Sequence, residues 1–311
     1  MEAENLKSVM TPEKERFEKV NKVIEMVDQS EISSIQSVVS GVIDIINDPR
    51  SSAKDLKDII EIDPPLTAKV LKVANSAYYY HPRKISEIQY AVIWIGFDVL
   101  TEIALSQKVW EVFEKSESIG GYSRSLLWKH SVAVAILGKM IYRREFGEKG
   151  DNAYAAGLLH DIGIIVEHQF LENDFRNILD KAEQGRKNLS KVEYEVLGYT
   201  HTDIGKELTE HWSFPEELVV AIGNHHNPDR ASQDFLKLAS TLYVADYLCQ
   251  ERGIGYGDAP VRDTALFRKC LRRLKIKDYA LDLIVKDMEQ EIAVIEGQGL
   301  FQYGKSQKVQ H

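Results

Sequence analysis

From Ser125 to Cys249 the chain repeats one pattern: apolar residues at three- and four-residue spacing, with a histidine or an aspartate set among them. That period belongs to a helix with one buried face. Leu127, His130, Val134, Leu137 and Ile141 share such a face, and so do Ala153, Ala156, Gly157, His160 and Ile164. Leu197, His201, Ile204, Gly205 and Leu208 form a third stripe, and Leu218, Ala221, Ile222 and His225 a fourth. Phe235, Leu238, Ala239, Leu242, Asp246 and Cys249 form a fifth. Asp161 adjoins His160, and His226 adjoins His225. A buried polar group must be satisfied, and an unpartnered carboxylate costs several kcal/mol, in order of magnitude. A lone histidine on an apolar face is more often a hydrogen-bonded core residue. Convergence of all five stripes on one pocket satisfies the whole set together.

The converging set is His130, His160, His201, His225 and His226 with Asp161 and Asp246. Imidazoles and carboxylates without a thiolate suit iron, manganese, nickel or zinc, and argue against a structural zinc–thiolate site. So many donors exceed the needs of one ion and suit two, with a carboxylate between them. His168 and His211 lack this placement and are expected to be surface or core fillers; His81 and His311 are expected bystanders.

The rest of the chain also reads as helix, so the expected fold class is all-α. Thr11 and Pro12 open a helix to about Gln29, and Ser52 with Asp55 has capping-box spacing. Ser190 with Glu193 has the same spacing. A helix is expected from Leu66 to Tyr78, before the aromatic turn Tyr78–Pro82, and two more pivot at Gly96. Glu114 to Gly121 is a polar joint, and a tail helix is expected from Asp278 to Ile295. The expected organisation is an N-terminal helix (1–30), a helical lobe (31–120), a metal-binding lobe (121–252) and a helical tail (253–311). The formal charge of −9 leaves no bulk electrostatic footprint for nucleic acid. No apolar run reaches membrane-spanning length, the N-terminus is polar, and Cys249 and Cys270 make no disulfide framework. A cytoplasmic location is therefore expected, with no membrane partner.

His130, His160-Asp161 and Asp246 within Val244–Leu248 resemble the pattern of the HD phosphohydrolase superfamily. Asp63–Leu71, Ala74–Ala77 and Ile85–Ile88 followed by Ala91 and Gly96 are similar to the HDOD domain. The resemblance runs from about Glu31 to Gln250 and implies a helical bundle of two lobes with a role in bacterial signalling. His201 followed by Gly205, and the pair His225-His226, resemble the additional ligands of HD-GYP phosphodiesterases, which hydrolyse cyclic di-GMP on two metals. By that resemblance His130, His160, Asp161 and Asp246 hold one ion, and His201, His225 and His226 hold a second. Asp161 bridges them, and His160 and Asp161 are the catalytic pair. The implied cofactor is a divalent transition metal, two ions, iron or manganese ahead of zinc or nickel. Two departures stand against the full analogy. The GYP loop is replaced by Asn227-Pro228-Asp229-Arg230, and Ile164 stands where HD-GYP enzymes often carry a lysine. Lys129 and Arg230 are substitutes to weigh against plain surface charge. The expected ligand is a phosphate-containing small molecule. The alternative is a non-catalytic scaffold that binds a signalling protein through its N-terminal lobe.

Overall fold

The computed structural model describes residues 11–79, 82–114, 118–119 and 121–297. Among the described residues the fold is all-α apart from one minimal hairpin, in which β1 (Ser118–Ile119), in the polar joint, pairs antiparallel with β2 (Tyr122–Ser123) just beyond it. The first helices are α1 (Pro12–Asp28), α2 (Gln36–Asn47), α3 (Ala53–Glu61), α4 (Pro64–Ala74), α5 (Ile88–Ile95) and α6 (Phe97–Phe113). After the hairpin come α7 (Arg124–Ile141), α8 (Asp151–Leu159), α9 (Ile162–Phe170) and α10 (Glu172–Gly185). Then follow α11 (Leu189–Leu197), α12 (His201–His211), α13 (Glu216–Gly223) and α14 (Leu236–Glu251). Helices α15 (Thr264–Leu274) and α16 (Asp278–Gly297) follow.

Local chemistry sets several of these starts. The Thr11 hydroxyl accepts from the Lys14 amide at 3.3 Å, ahead of Pro12 in the first turn of α1. Ser52 and Asp55 form the reciprocal capping box of α3. Asp63 caps α4, accepting from the Leu66 amide at 3.0 Å, and its second oxygen takes the Lys108 ammonium at 2.5 Å, which ties α4 to α6. Gly96, at φ 99°, is the pivot between α5 and α6, a backbone setting that favours glycine. Helix α4 stops at Ala74, short of the expected Tyr78. There the Asn75 side chain pairs with both backbone groups of Ile85, at 2.8 Å each, and turns the chain away. Tyr80, His81 and His311 lie outside the described residues.

Helices α2 to α6 pack around one part of the core and α7 to α14 around the other, with α6 against both α7 and α8. Lys139 of α7, only 4% exposed, joins the two parts by bonding Glu102 of α6 and, at 2.5 Å, Asp151 of α8. Helix α1 lies on α12, with Arg16 3.3 Å from Asp203 and His211 3.0 Å from Asp28. Helix α16 runs along α7, and Lys129 pairs with its Glu296 at 2.6 Å. Helix α15 was not expected; its charged sequence hides a buried stripe of Phe267, Cys270, Leu271 and Leu274. Among the described residues no helix is long and apolar enough to cross a membrane.

Candidate metal centre

The stretch expected to run as one helix through His160 and Ile164 is broken. Helix α8 ends at Leu159, α9 begins at Ile162, and Asp161 (φ −100°, ψ 15°) stands between them. On a continuous helix neighbouring side chains fan apart around the axis. At this break the His160 Nε2 and an Asp161 oxygen come within 3.1 Å of each other. Two glycines allow the surrounding helices to close in. A Cβ on Gly157 would sit 2.4 Å from the Cα of Ala135 in α7, and one on Gly163 only 2.0 Å from the His201 carbonyl.

All seven predicted residues meet in one place. Their donor atoms form three overlapping triads: His130, His160 and Asp246; His160, Asp161 and His225; His201, His225 and His226. His130 Nε2 is 3.0 Å from Asp246 Oδ1. Asp161 spans the two ends. Its Oδ2 lies 3.1 Å from His160 and 3.9 Å from His130, and its Oδ1 lies 3.5 Å from His225 and 3.6 Å from His201. Donors that share one ion at about 2.1 Å lie about 3.0–3.4 Å apart; the His130–Asp246 and His160–Asp161 spacings fall in that range, and those from Asp161 to His225, His201 and His130 are somewhat wider.

The outward-facing nitrogens are fixed from behind. His160 Nδ1–H donates to the Gly157 carbonyl at 2.8 Å, and His225 Nδ1–H to the Ile222 carbonyl at 2.7 Å. His201 Nδ1 meets the Glu193 carboxylate at 2.8 Å. These bonds turn Nε2 toward the pocket, the nitrogen with which such histidines bind a metal once it is deprotonated. His160 Nε2, His225 Nε2 and Asp161 Oδ1 are buried without a hydrogen-bond partner. His160 and Asp161 are close, but off the axis of a hydrogen bond. Unsatisfied buried atoms on several elements, all aimed at one space, are the observation that fits a cation there.

Burial opposes charge throughout the pocket, and neighbours decide which groups keep it. Against burial, Asp246 raises His130 to about 9, and Glu193 holds His201 well above the ordinary imidazole value. Against burial, His160 and His225 hold Asp161 well below the usual carboxylate range. Burial, reinforced by His226, pushes His225 down to about 4, so it offers a neutral nitrogen at neutral pH.

Three further acids belong to the site. The Ser190–Glu193 capping box does not form: α11 begins at Leu189, and Glu193 is instead fully buried. Its carboxylate accepts from both the backbone amide and the ring of His201. Glu167 lies beside it, and burial with that neighbouring carboxylate pushes Glu167 well above its usual value. Asp258, in the connection after α14, lies 3.0 Å from His226 Nε2 and accepts from Gln250 at 2.6 Å. Glu193 was legible as an acid on the buried stripe of Leu189 and Val192; Asp258 sits in a loop and gave no periodic signal. His168 is a core residue, accepting from Arg124 Nε at 3.1 Å. Arg230 opens on a groove lined by α1, α12 and α13, away from every one of the seven donors.

The HDOD domain family model matches residues 32–228. Ribonuclease Y of Thermus thermophilus is 34% identical over 131 residues, which is 42% of this chain and 17% of that protein. The chain spans 38% of the length of another curated relative, at 24% identity. Among solved structures, an HDOD domain protein of unknown function from Geobacter sulfurreducens is 26% identical, with a TM-score of 0.75 over 93% of this chain and 99% of that one. A Shewanella amazonensis protein named only as a candidate phosphohydrolase shares the fold, at 21% identity, with a TM-score of 0.64 over 92% of this chain and 97% of that one. The family match covers helices α2 to α6 and four of the five polar stripes, and the chain belongs to the HDOD family.

Proposed function

We propose that this HDOD protein binds divalent transition metal at the His/Asp centre and hydrolyses a phosphate ester or a nucleotide phosphodiester there. The observation that carries the reading is Asp161, with one oxygen toward His160 and His130 and the other toward His225 and His201. In this reading His130, His160, Asp161 and Asp246 hold one ion, and His201, His225 and His226 the other, with iron or manganese ahead of zinc or nickel. Bound ions supply a nucleophilic hydroxide at neutral pH and neutralise charge on the phosphoryl oxygens. The protein's part is positional. The Gly157 and Ile222 carbonyls and the Glu193 carboxylate fix the imidazoles, and Asp161 stays ionised between them. His226, with 24% of its side chain exposed, marks the open side, while the other donors are sealed from water. The likeness to Ribonuclease Y supports phosphodiester chemistry, whereas the charge of −9 favours a small substrate over a long nucleic acid.

Two measurements test this. Protein purified without chelator should carry stoichiometric transition metal by elemental analysis, and its absence sinks the reading. Metal-loaded protein should turn over bis(p-nitrophenyl) phosphate, and His160→Ala and Asp161→Ala should abolish that turnover. Activity that survives both substitutions rejects this centre as its source.

One surface favours the scaffold reading beside it. Helix α5 presents Tyr90, Ile93 and Trp94 at 49–72% exposure, and Ile62 lies 76% exposed on the same N-terminal half. Exposed apolar groups of this kind suit a protein partner. Ile93→Asp with Tyr90→Ser should then abolish partner capture and leave metal content intact; capture that persists removes the case for this face.

A further inference from the structure

Ile164, where a lysine could have gripped a phosphate, is fully buried, so a phosphoryl substrate needs its positive contacts elsewhere. We propose that Lys191 and Arg262 form the anion-gripping subsite of the metal centre and hold the phosphoryl group from its open side. The inference rests on the phosphate-ester reading above. A cavity of about 610 Å³ opens beside His226 and Asp246, and Lys191 and Arg262 both line it. Lys191 stands in the first turns of α11, and Arg262 on the connection between α14 and α15.

These two segments are locked together. The Asn188 amide donates to the Val261 carbonyl at 3.0 Å and accepts from the Val261 amide at 3.2 Å. The Leu189 amide donates to the Asp258 carbonyl at 2.8 Å. The loop that aims Asp258 at His226 is therefore the loop that brings Arg262 to the cavity wall. Neither cation makes an ion pair or a side-chain hydrogen bond among the described residues; Glu195, one turn beyond Lys191, is held by Lys187 at 2.9 Å and also feels the Lys191 charge. The carboxylates in the wall are engaged: Asp246 faces His130, and Asp263 caps α15 by accepting from the Leu266 amide at 2.9 Å. By contrast, Lys129 is spent on Glu296, and Arg230 opens on a different groove. An arginine fork beside a lysine point charge is the donor pair that recognises phosphoryl oxygens.

The test uses the full chain loaded with metal and inorganic phosphate as the probe, titrated by calorimetry, with metal content measured on the same samples. Lys191→Ala and Arg262→Ala should each weaken phosphate binding about tenfold, and the double Lys191→Glu, Arg262→Glu variant more, with metal content unchanged. Added salt should weaken the wild type more than the double variant. Unchanged phosphate affinity with metal intact overturns the subsite and spares the metal centre. Loss of metal along with phosphate makes these residues structural supports and also overturns it. If the wild type takes up no metal yet binds phosphate through these two residues, the subsite stands and the hydrolytic reading fails. No metal and no phosphate binding overturns both.

Discussion

Glu193 holds His201 from behind, accepting from both its ring and its backbone amide. Outer partners of this kind commonly support 10- to 100-fold of metal affinity. Glu193→Gln should therefore lower metal affinity by about 10- to 100-fold in a chelator competition; an unchanged affinity would show that His201 is held by packing alone. His130 sets the pH behaviour. Burial works against its charge, but Asp246 raises it to about 9 from an ordinary value of 6.5. Without metal, that group stabilises the fold fully below pH 6.5 and the contribution is lost as pH rises through about 9. Metal must displace this proton, so apparent metal affinity should climb between pH 6.5 and about 9. Calorimetry at pH 7.5 in buffers of different ionisation enthalpy should detect a released proton, and equal heats in every buffer would contradict the assignment.

At the scale of the helix, the decisive feature is the break between α8 and α9, where Gly163 lies against the start of α12. Helix propensity alone favours alanine over glycine by roughly 1 kcal/mol. Contact argues the other way, because the added Cβ would meet the His201 carbonyl at 2.0 Å. Backbone cannot yield as a flexible side chain does, so Gly163→Ala should destabilise the fold by roughly 1–3 kcal/mol and reduce metal content. Urea denaturation reads the sign, and a stabilised variant would show that α9 and α12 can separate without harm. The stripes themselves were legible, since a helix repeats its buried face whatever surrounds it. The break was not, because His160 and Ile164 fit the helical period, and only packing against α12 reveals that the chain leaves it. The Ser190–Glu193 spacing misled for the same reason: a local rule proposed a cap, and the buried pocket claimed the carboxylate.

For the whole molecule, Lys139 is the buried joint between the two packed groups of helices. Lys139→Met keeps the length and apolar stem but leaves Asp151 without this partner and Glu102 with Arg143 at 3.9 Å. A loss of roughly 1–3 kcal/mol is expected, read as a lower melting temperature; an unchanged melt would mean the two carboxylates find water at no cost. Metal should act in the opposite direction, since a ligand bound only by the folded chain raises its stability by mass action. Added metal should raise the melting temperature of the wild type and leave Asp161→Ala where it was. An equal rise in both would place the ion elsewhere.

The sequence by itself determined the all-α class, the helix starts at Thr11 and Ser52, and the seven His and Asp side chains that the fold brings together. Caps and apolar periods act over a few residues, so they are readable without the fold. Only the tertiary structure decided which donors face one another: His130 and Asp246 are 116 residues apart in sequence and 3.0 Å apart in space. It also decided that Glu193 and Asp258 complete the pocket, and that the open side carries Lys191 and Arg262. Such contacts arise from packing between distant helices and loops, and no local period records them.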